Sequence, residues 1–210
     1  MSSPYSESIV HAFHQFFREN SITNFRFLED SGCFKFDAHL ENRLRMLHYL
    51  VDVRMNGFTV YSFFPFRVDC EDTDALSQTS ELLNRINCTL SCGSMELNYD
   101  TGSIRFKDQI HCPDGYLLTE DTIWESIGWP AAVFEHYCDA LAAFIFTKLP
   151  VRLSPEEAMA ICSQDPDEEE VPAGTASASP EPKDFLVDTD ASNILLRMVQ
   201  KMQEEDSTLT

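Results

Sequence analysis

Four residues in the middle of the chain have side chains that bind zinc: Cys88, Cys92, His111 and Cys112. Thiolates and imidazoles in groups of four form tetrahedral zinc sites. The CxxxC spacing of Cys88 and Cys92 is loose, and the sequence has no tighter CxxC pair. A small buried residue is also normal beside a strand. Buried structural thiols are therefore the main interpretation, and a zinc or small-ligand site is the alternative.

Other reaction chemistry has little support in the residue types and their spacing. No GxSxG elbow for nucleophilic catalysis, no glycine-rich phosphate loop and no EF-hand loop occurs. Arg43, Arg45 and Arg54 are close in sequence, and Arg43 and Arg45 are expected on one strand face. They could meet a small anion, although a solvated strand face is the simpler reading. The sequence therefore predicts no enzyme, no catalytic residue and no cofactor.

The charge of the chain limits its partners and its compartment. The net charge is −20 and the isoelectric point is near 4.4, so nucleic acid and anionic membranes are expected to be repelled. Residues 165–210 alone contain 12 acidic and 3 basic residues. The first 20 residues do not resemble a signal peptide, and no apolar run approaches the ~20 residues of a membrane span. With seven cysteines, an odd number, a reduced cytoplasmic protein is expected.

Apolar residues at helical spacing predict four helices in the body of the chain. A proline inside an otherwise helical pattern disrupts it, so Pro130 is expected to break or bend the third helix. Ser154 followed by Pro155 is a typical helix start. The predicted helices are 6–19, 72–86, 119–147 and 154–162.

Alternating apolar residues predict strands between these helices. Asn56-Gly57 predicts a type I′ hairpin turn, which needs positive φ at both central positions. A second hairpin turn is expected at residues 100–102, and Pro65 indicates an edge position or a bulge. The predicted strand-like runs are 25–28, 33–36, 44–54, 58–68, 94–99 and 103–110.

Composition divides the chain into three parts. Residues 1–164 form the predicted α+β body, and residues 165–189 form an acidic linker that is expected to be disordered. Residues 190–205 form a predicted amphipathic helix that either docks in a groove or frays in water. Its apolar side includes Leu195, Met198, Val199 and Met202.

One segment, ELLNRINCTLSCGSMELNYDTGSIRFKDQI, resembles the central signature of the YbjN-like family of bacterial sensory-transduction regulators. The resemblance covers roughly residues 6–149 and implies a fold like that of the type III secretion chaperones. That fold is α+β, a twisted antiparallel sheet packed against helices in the order α-β-β-β-α-β-β-α, and it is often dimeric. The matching residues are Leu83-Asn84, Asn87, Gly93, Gly102 and Arg105, followed by Tyr137 and Leu141.

The resemblance implies a non-enzymatic module that regulates or binds a protein or peptide, and a homodimer is expected. Phe63, Phe64 and Phe66 are candidate partner-binding residues, because FFPF places aromatic side chains on both faces of one strand. The alternative is that all three belong to the core. A third hypothesis is an immunity-like protein that neutralises a basic partner, which the negative charge would attract.

Overall fold

A six-stranded antiparallel sheet and four helices make up the computed structural model, which describes residues 3–40, 44–113, 116–146 and 154–162. The predicted α+β class is confirmed, and the strand order in the sheet is β1-β2-β3-β4-β6-β5. The two short runs before β3 are separate strands, so four strands precede α2. The elements are α1 (Glu7–Glu19), β1 (Phe25–Leu28), β2 (Cys33–His39), β3 (Met46–Arg54), β4 (Gly57–Arg67), α2 (Thr73–Asn87), β5 (Ser94–Leu97), β6 (Ser103–His111), α3 (Glu120–Phe146) and α4 (Pro155–Cys162).

One face of the sheet carries the hydrophobic core. Successive side chains of a strand point to opposite faces, and in β2, β3 and β4 every second side chain is buried. The cross-strand partners Phe34 and Val51, and then Val51 and Val60, continue the same face from strand to strand. This apolar face needs a covering layer, which the helices provide.

Helix α1 packs on the sheet through aromatic rings. The Phe13 ring lies 5.4 Å from the Phe34 ring and 5.0 Å from the Phe58 ring, and Phe17 lies 5.3 Å from Phe36. Tilted and edge-on ring pairs at these distances are favourable beyond the area they bury. The apolar stripe of α1 is therefore fixed over the first four strands.

Helix α3 continues through Pro130, so of the two alternatives expected there, a break or a bend, the break is wrong. Proline has no N–H for the carbonyl of Ser126, but both residues are buried, and packing outweighs the lost bond. The hydroxyl of Tyr49 on β3 donates to the carbonyl of Ile127 at 2.9 Å. This bond ties α3 to the sheet in the turn that precedes the proline.

The backbone groups of Met95 in the edge strand β5 are hydrogen-bonded by a side chain of α2. Asn87 donates to the carbonyl of Met95 at 3.0 Å and accepts from the Met95 N–H at 2.7 Å. The amide thus satisfies the backbone groups that an additional strand would otherwise pair. Helix α4 is joined to α2 by an ion pair between Arg85 and Glu156.

The hairpin between β3 and β4 differs from its prediction. The turn residues are Met55 and Asn56, and neither has a positive φ, so the type I′ prediction for Asn56-Gly57 is wrong. Gly57 starts β4 at φ +154°, where a Cβ would lie 2.2 Å from the carbonyl oxygen of Ile110. The glycine is needed for the close approach of β6. The turn predicted at residues 100–102 is confirmed, with Gly102 at φ +66°.

Replacing Tyr49 by Phe tests how firmly α3 is held to the sheet. The variant loses a buried hydrogen bond, so we expect the free energy of unfolding to fall by about 1 kcal/mol with an unchanged denaturant slope. The matched control is Tyr99→Phe, since the Tyr99 hydroxyl bonds Ser80 at the exposed surface. Urea unfolding should show little change for the control, and equal losses in both variants would contradict the assignment.

His14 on α1 should make the stability depend on pH. It lies among the rings of Phe25, Phe27 and Phe34, at 5.6, 5.3 and 5.1 Å, and burial, together with the charge of His11, lowers its pKa. The unfolded chain then binds a proton at His14 more readily than the folded chain does. The contribution of neutral His14 to the free energy of unfolding is therefore present above pH 6.5 and is lost as the pH falls through that value.

Urea unfolding of the wild type and of a His14→Phe variant between pH 7.5 and 5.5 measures this contribution. The variant keeps a ring at the site but cannot titrate there, so its stability should fall less on acidification. Identical pH dependences in the two proteins would show that His14 does not contribute.

Candidate interaction surface

The second face of the sheet, which we call the open face, points away from the core. Its side chains alternate along each strand with the buried ones, and those named below are half-buried or exposed. Charged and large apolar side chains dominate it: Arg26, Lys35, Asp37, His48, Leu50, Asp52, Arg54, Tyr61, Phe63, Glu96, Arg105 and Lys107.

The centre of the open face is apolar, and we call Leu50, Tyr61 and Phe63 the central strip. Leu50 and Tyr61 are cross-strand partners on the two middle strands, and Phe63 follows Tyr61 on the same face of β4. All three are half-buried. Aromatic side chains held in this partly accessible way are enriched where proteins bind one another.

On the β6 side the central strip is bordered by two basic side chains that share one carboxylate. Glu96 lies 2.6 Å from the guanidinium of Arg105 and 3.5 Å from the ammonium of Lys107. The Arg105 guanidinium also lies 4.6 Å from the centre of the Tyr61 ring, in cation–π geometry. Arg105 is therefore fixed by two contacts, and this side of the strip has one excess positive charge.

On the β1 side two positive charges stand directly opposite each other. Arg26 and Lys35 are cross-strand partners, and both side chains are exposed. Among the residues that the structure describes, neither forms an ion pair. Like charges in this arrangement destabilise a sheet. A bound anionic group would relieve that repulsion.

The two remaining carboxylates of the open face each have a partner within hydrogen-bond distance. Asp37 lies 2.6 Å from His48, and Asp52 lies 2.7 Å from Arg54. The Cys33 thiol lies 3.5 Å from Asp52, and burial raises its pKa, so the thiol stays protonated and is a weak nucleophile. Among the described residues, the open face thus holds five Arg and Lys residues against three Asp and Glu residues, on a chain whose net charge is −20. The net charge of the open face is therefore positive. This is the opposite sign to the acidic surface that was expected to attract basic partners.

The three aromatic candidates of the FFPF stretch fall in three different environments. Phe63 lies in the central strip on the open face. Phe64 is buried, with its ring 5.6 Å from that of Phe134, and belongs to the core. Phe66 is 37% exposed and contacts the 56% exposed Phe146 at 4.7 Å, on the helix-covered side. Leu195, Met198, Val199 and Met202, with the whole of 165–210, lie outside the described residues.

The anion site considered for Arg43, Arg45 and Arg54 lacks its expected geometry. Arg43 lies outside the described residues, and Arg45 precedes β3 with a φ of +54°. Arg45 is therefore not on a strand face, and Arg54 is paired with Asp52.

The four zinc-site candidates are not assembled. Cys112 is buried, and its N–H donates to the carbonyl of Asn56 at 2.8 Å, whereas Cys88 and Cys92 are exposed. Across the described ranges, no three His, Cys, Asp or Glu side chains are close enough together to hold a metal ion. The expectation that these thiols are all buried is wrong for Cys88 and Cys92.

Three basic residues of the open face, Arg26, Lys35 and Lys107, were not identified from the sequence. Arg26 and Lys35 are nine positions apart, and only the register of β1 with β2 makes them partners. Period-two alternation indicated part of this surface, because Lys35 and Arg105 each lie between two buried residues and Lys107 follows the buried Phe106.

A scan against models of known protein families finds no match, and a search of curated proteins finds none either. In the ranges described here, no helix combines the length and the apolar character needed to cross a membrane.

Replacing Arg26 by Glu tests the repulsion at the β1 side. The change converts a like-charge pair with Lys35 into an opposite-charge pair, so we expect the free energy of unfolding to rise by about 0.5 kcal/mol at low salt. Arg18→Glu, on the exposed side of α1, makes the same change of charge without a lysine opposite. Thermal unfolding should show stabilisation for Arg26→Glu alone, and a loss of stability in both variants would contradict the repulsion.

Proposed function

We propose that this chain is a non-enzymatic, cytoplasmic protein-interaction or regulatory module of the YbjN-like kind. It binds a protein or peptide along the open face in a chaperone-like manner, and it acts as a homodimer with no nucleic-acid or membrane partner. The observation that carries the proposal is the half-buried central strip, Leu50, Tyr61 and Phe63, bordered on both sides by basic side chains.

The central strip supplies the affinity in this proposal. The helices in the described ranges pack on one face of the sheet, so the other face is available for a second layer. The central strip is where that layer removes most apolar surface from water. Aromatic side chains near the centre of an interface often account for much of the binding energy, as alanine substitution shows. Phe63 and Tyr61 are the side chains of the strip with this character.

The borders of the strip supply the specificity. Arg105 is held in place by Glu96 and Tyr61, so it can donate hydrogen bonds to a carboxylate of the partner without first becoming ordered. Arg26 and Lys35 attract a second acidic group on the opposite side. The partner surface that fits is therefore apolar in the middle and acidic at both ends.

Photo-cross-linking in the source cells tests the proposal. A photoreactive residue replaces Gln109, which is exposed on the open face, or Gln15, which is exposed on α1 as the matched control. Illumination should attach a partner protein from position 109 and not from position 15. The same products from both positions, or none from position 109, would contradict the open face as the binding surface.

Alanine substitution of Phe63 should then weaken capture of that partner by about thirtyfold, equivalent to about 2 kcal/mol at an aromatic hot spot. Phe66→Ala is the matched control, because Phe66 is also exposed but lies on the helix-covered side. Both variants should keep a cooperative unfolding transition. Equal weakening by the two substitutions would show that the partner does not bind specifically at the central strip.

A further inference from the structure

The distribution of charge over the molecule is strongly uneven. The acidic residues of the described chain lie mainly on the helices and loops, whereas the open face has an excess of basic groups. Two of these basic groups, Arg26 and Lys35, repel each other and have no ion pair in the described ranges. A face of this kind favours an acidic occupant over any other chemistry.

The chain itself contains an acidic segment of suitable length, residues 165–189. This segment has eight acidic residues and one lysine, and it begins three positions after Cys162, the last residue of α4. Its 25 residues span up to ~80 Å when extended, at about 3.3 Å per residue. Six strands are ~24 Å across, at about 4.8 Å between neighbours. The segment is therefore long enough to pass from α4 around the sheet edge to the open face.

We propose that residues 165–189 bind the open face of the same copy of the chain and compete there with an acidic partner. This inference rests on the proposed function, because it assigns an internal occupant to the same surface. A tethered segment has an effective concentration in the millimolar range, so weak contacts suffice to populate the bound state. A partner must displace the segment, which makes the apparent affinity of the open face depend on the charge of residues 165–189.

Several weak ion pairs carry the binding. Each exposed pair contributes little and is screened by salt. When the segment is bound, its carboxylates lie next to Arg26 and Lys35 and reduce the repulsion between them. Other carboxylates lie next to Lys107, which shares Glu96 with Arg105. The occupancy should therefore fall steeply as ionic strength rises.

The test uses a fluorescent peptide with the sequence of residues 164–173, titrated with full-length proteins at low salt. In one protein all eight acidic residues of 165–189 are neutralised, by Asp→Asn and Glu→Gln changes. In the control protein Glu204, Glu205 and Asp206, which lie beyond the segment, are neutralised instead. Fluorescence anisotropy should show about tenfold tighter peptide binding by the first protein than by the wild type, as expected for removal of a millimolar competitor from a ~0.1 mM site. The control should bind like the wild type.

A second substitution tests whether the tenfold gain in peptide affinity depends on the open face. Adding Arg26→Glu to the neutralised protein should remove the tenfold gain, and its unfolding transition shows whether the protein is folded. The gain should also disappear at 0.5 M salt. A gain that grows with protein concentration would assign the segment to a second copy and overturn binding within one chain.

Two results would overturn the inference in distinguishable ways. Equal peptide binding by the wild-type and neutralised proteins would exclude residues 165–189 as the occupant, while a partner cross-linked from position 109 would leave the proposed function standing. No peptide binding by any of the proteins would exclude an acidic occupant altogether. If position 109 also gave no cross-link, the proposed function would fail with it.

Discussion

The buried apolar side chains of β2 to β6 point to the same face of one sheet, and this arrangement determines where everything else lies. Antiparallel pairing keeps the register so that Phe34, Val51 and Val60 follow one another across the strands. Helices cover this buried face, because α1, α2 and α3 supply large apolar side chains that pack on it. The second face is then left for polar, charged and half-buried residues.

The open face combines features that favour binding over stability. Arg26 and Lys35 face each other with the same charge, and three large side chains in the central strip remain partly in contact with water. A sheet selected for stability alone would place opposite charges across β1 and β2 and smaller side chains at the strip. The cost of these features in the isolated chain is small, and a bound acidic and apolar segment would offset it.

The sequence predicted most of the fold, because local signals agreed with the tertiary structure. Ser6, Asp72 and Ser154 mark helix starts within one residue, and alternating apolar residues predicted the strands between the helices. The two errors came from tertiary contacts that local rules do not contain. Burial maintained the helix through Pro130, and the approach of β6 to Gly57 shifted the turn by one residue.

The site was less predictable than the fold. Phe63 and Phe64 are adjacent and chemically identical, and only their opposite orientation in β4 separates a surface residue from a core residue. Arg26, Lys35 and Arg105 form the borders of one surface although they are far apart in sequence, and their positions depend on strand register. Register is a property of the whole sheet, so spacing along the chain could not reveal this surface.

The most direct test of a covered open face is hydroxyl-radical footprinting of the protein inside its source cells, compared with the purified chain in 0.5 M salt, which releases residues 165–189 from that face. If a partner covers the central strip, Tyr61 and Phe63 are oxidised less in cells than in the purified protein, while Tyr99, which is exposed elsewhere, is oxidised equally in both. Equal oxidation of Tyr61 and Phe63 in the two samples would show that no partner covers the open face, and would contradict the account.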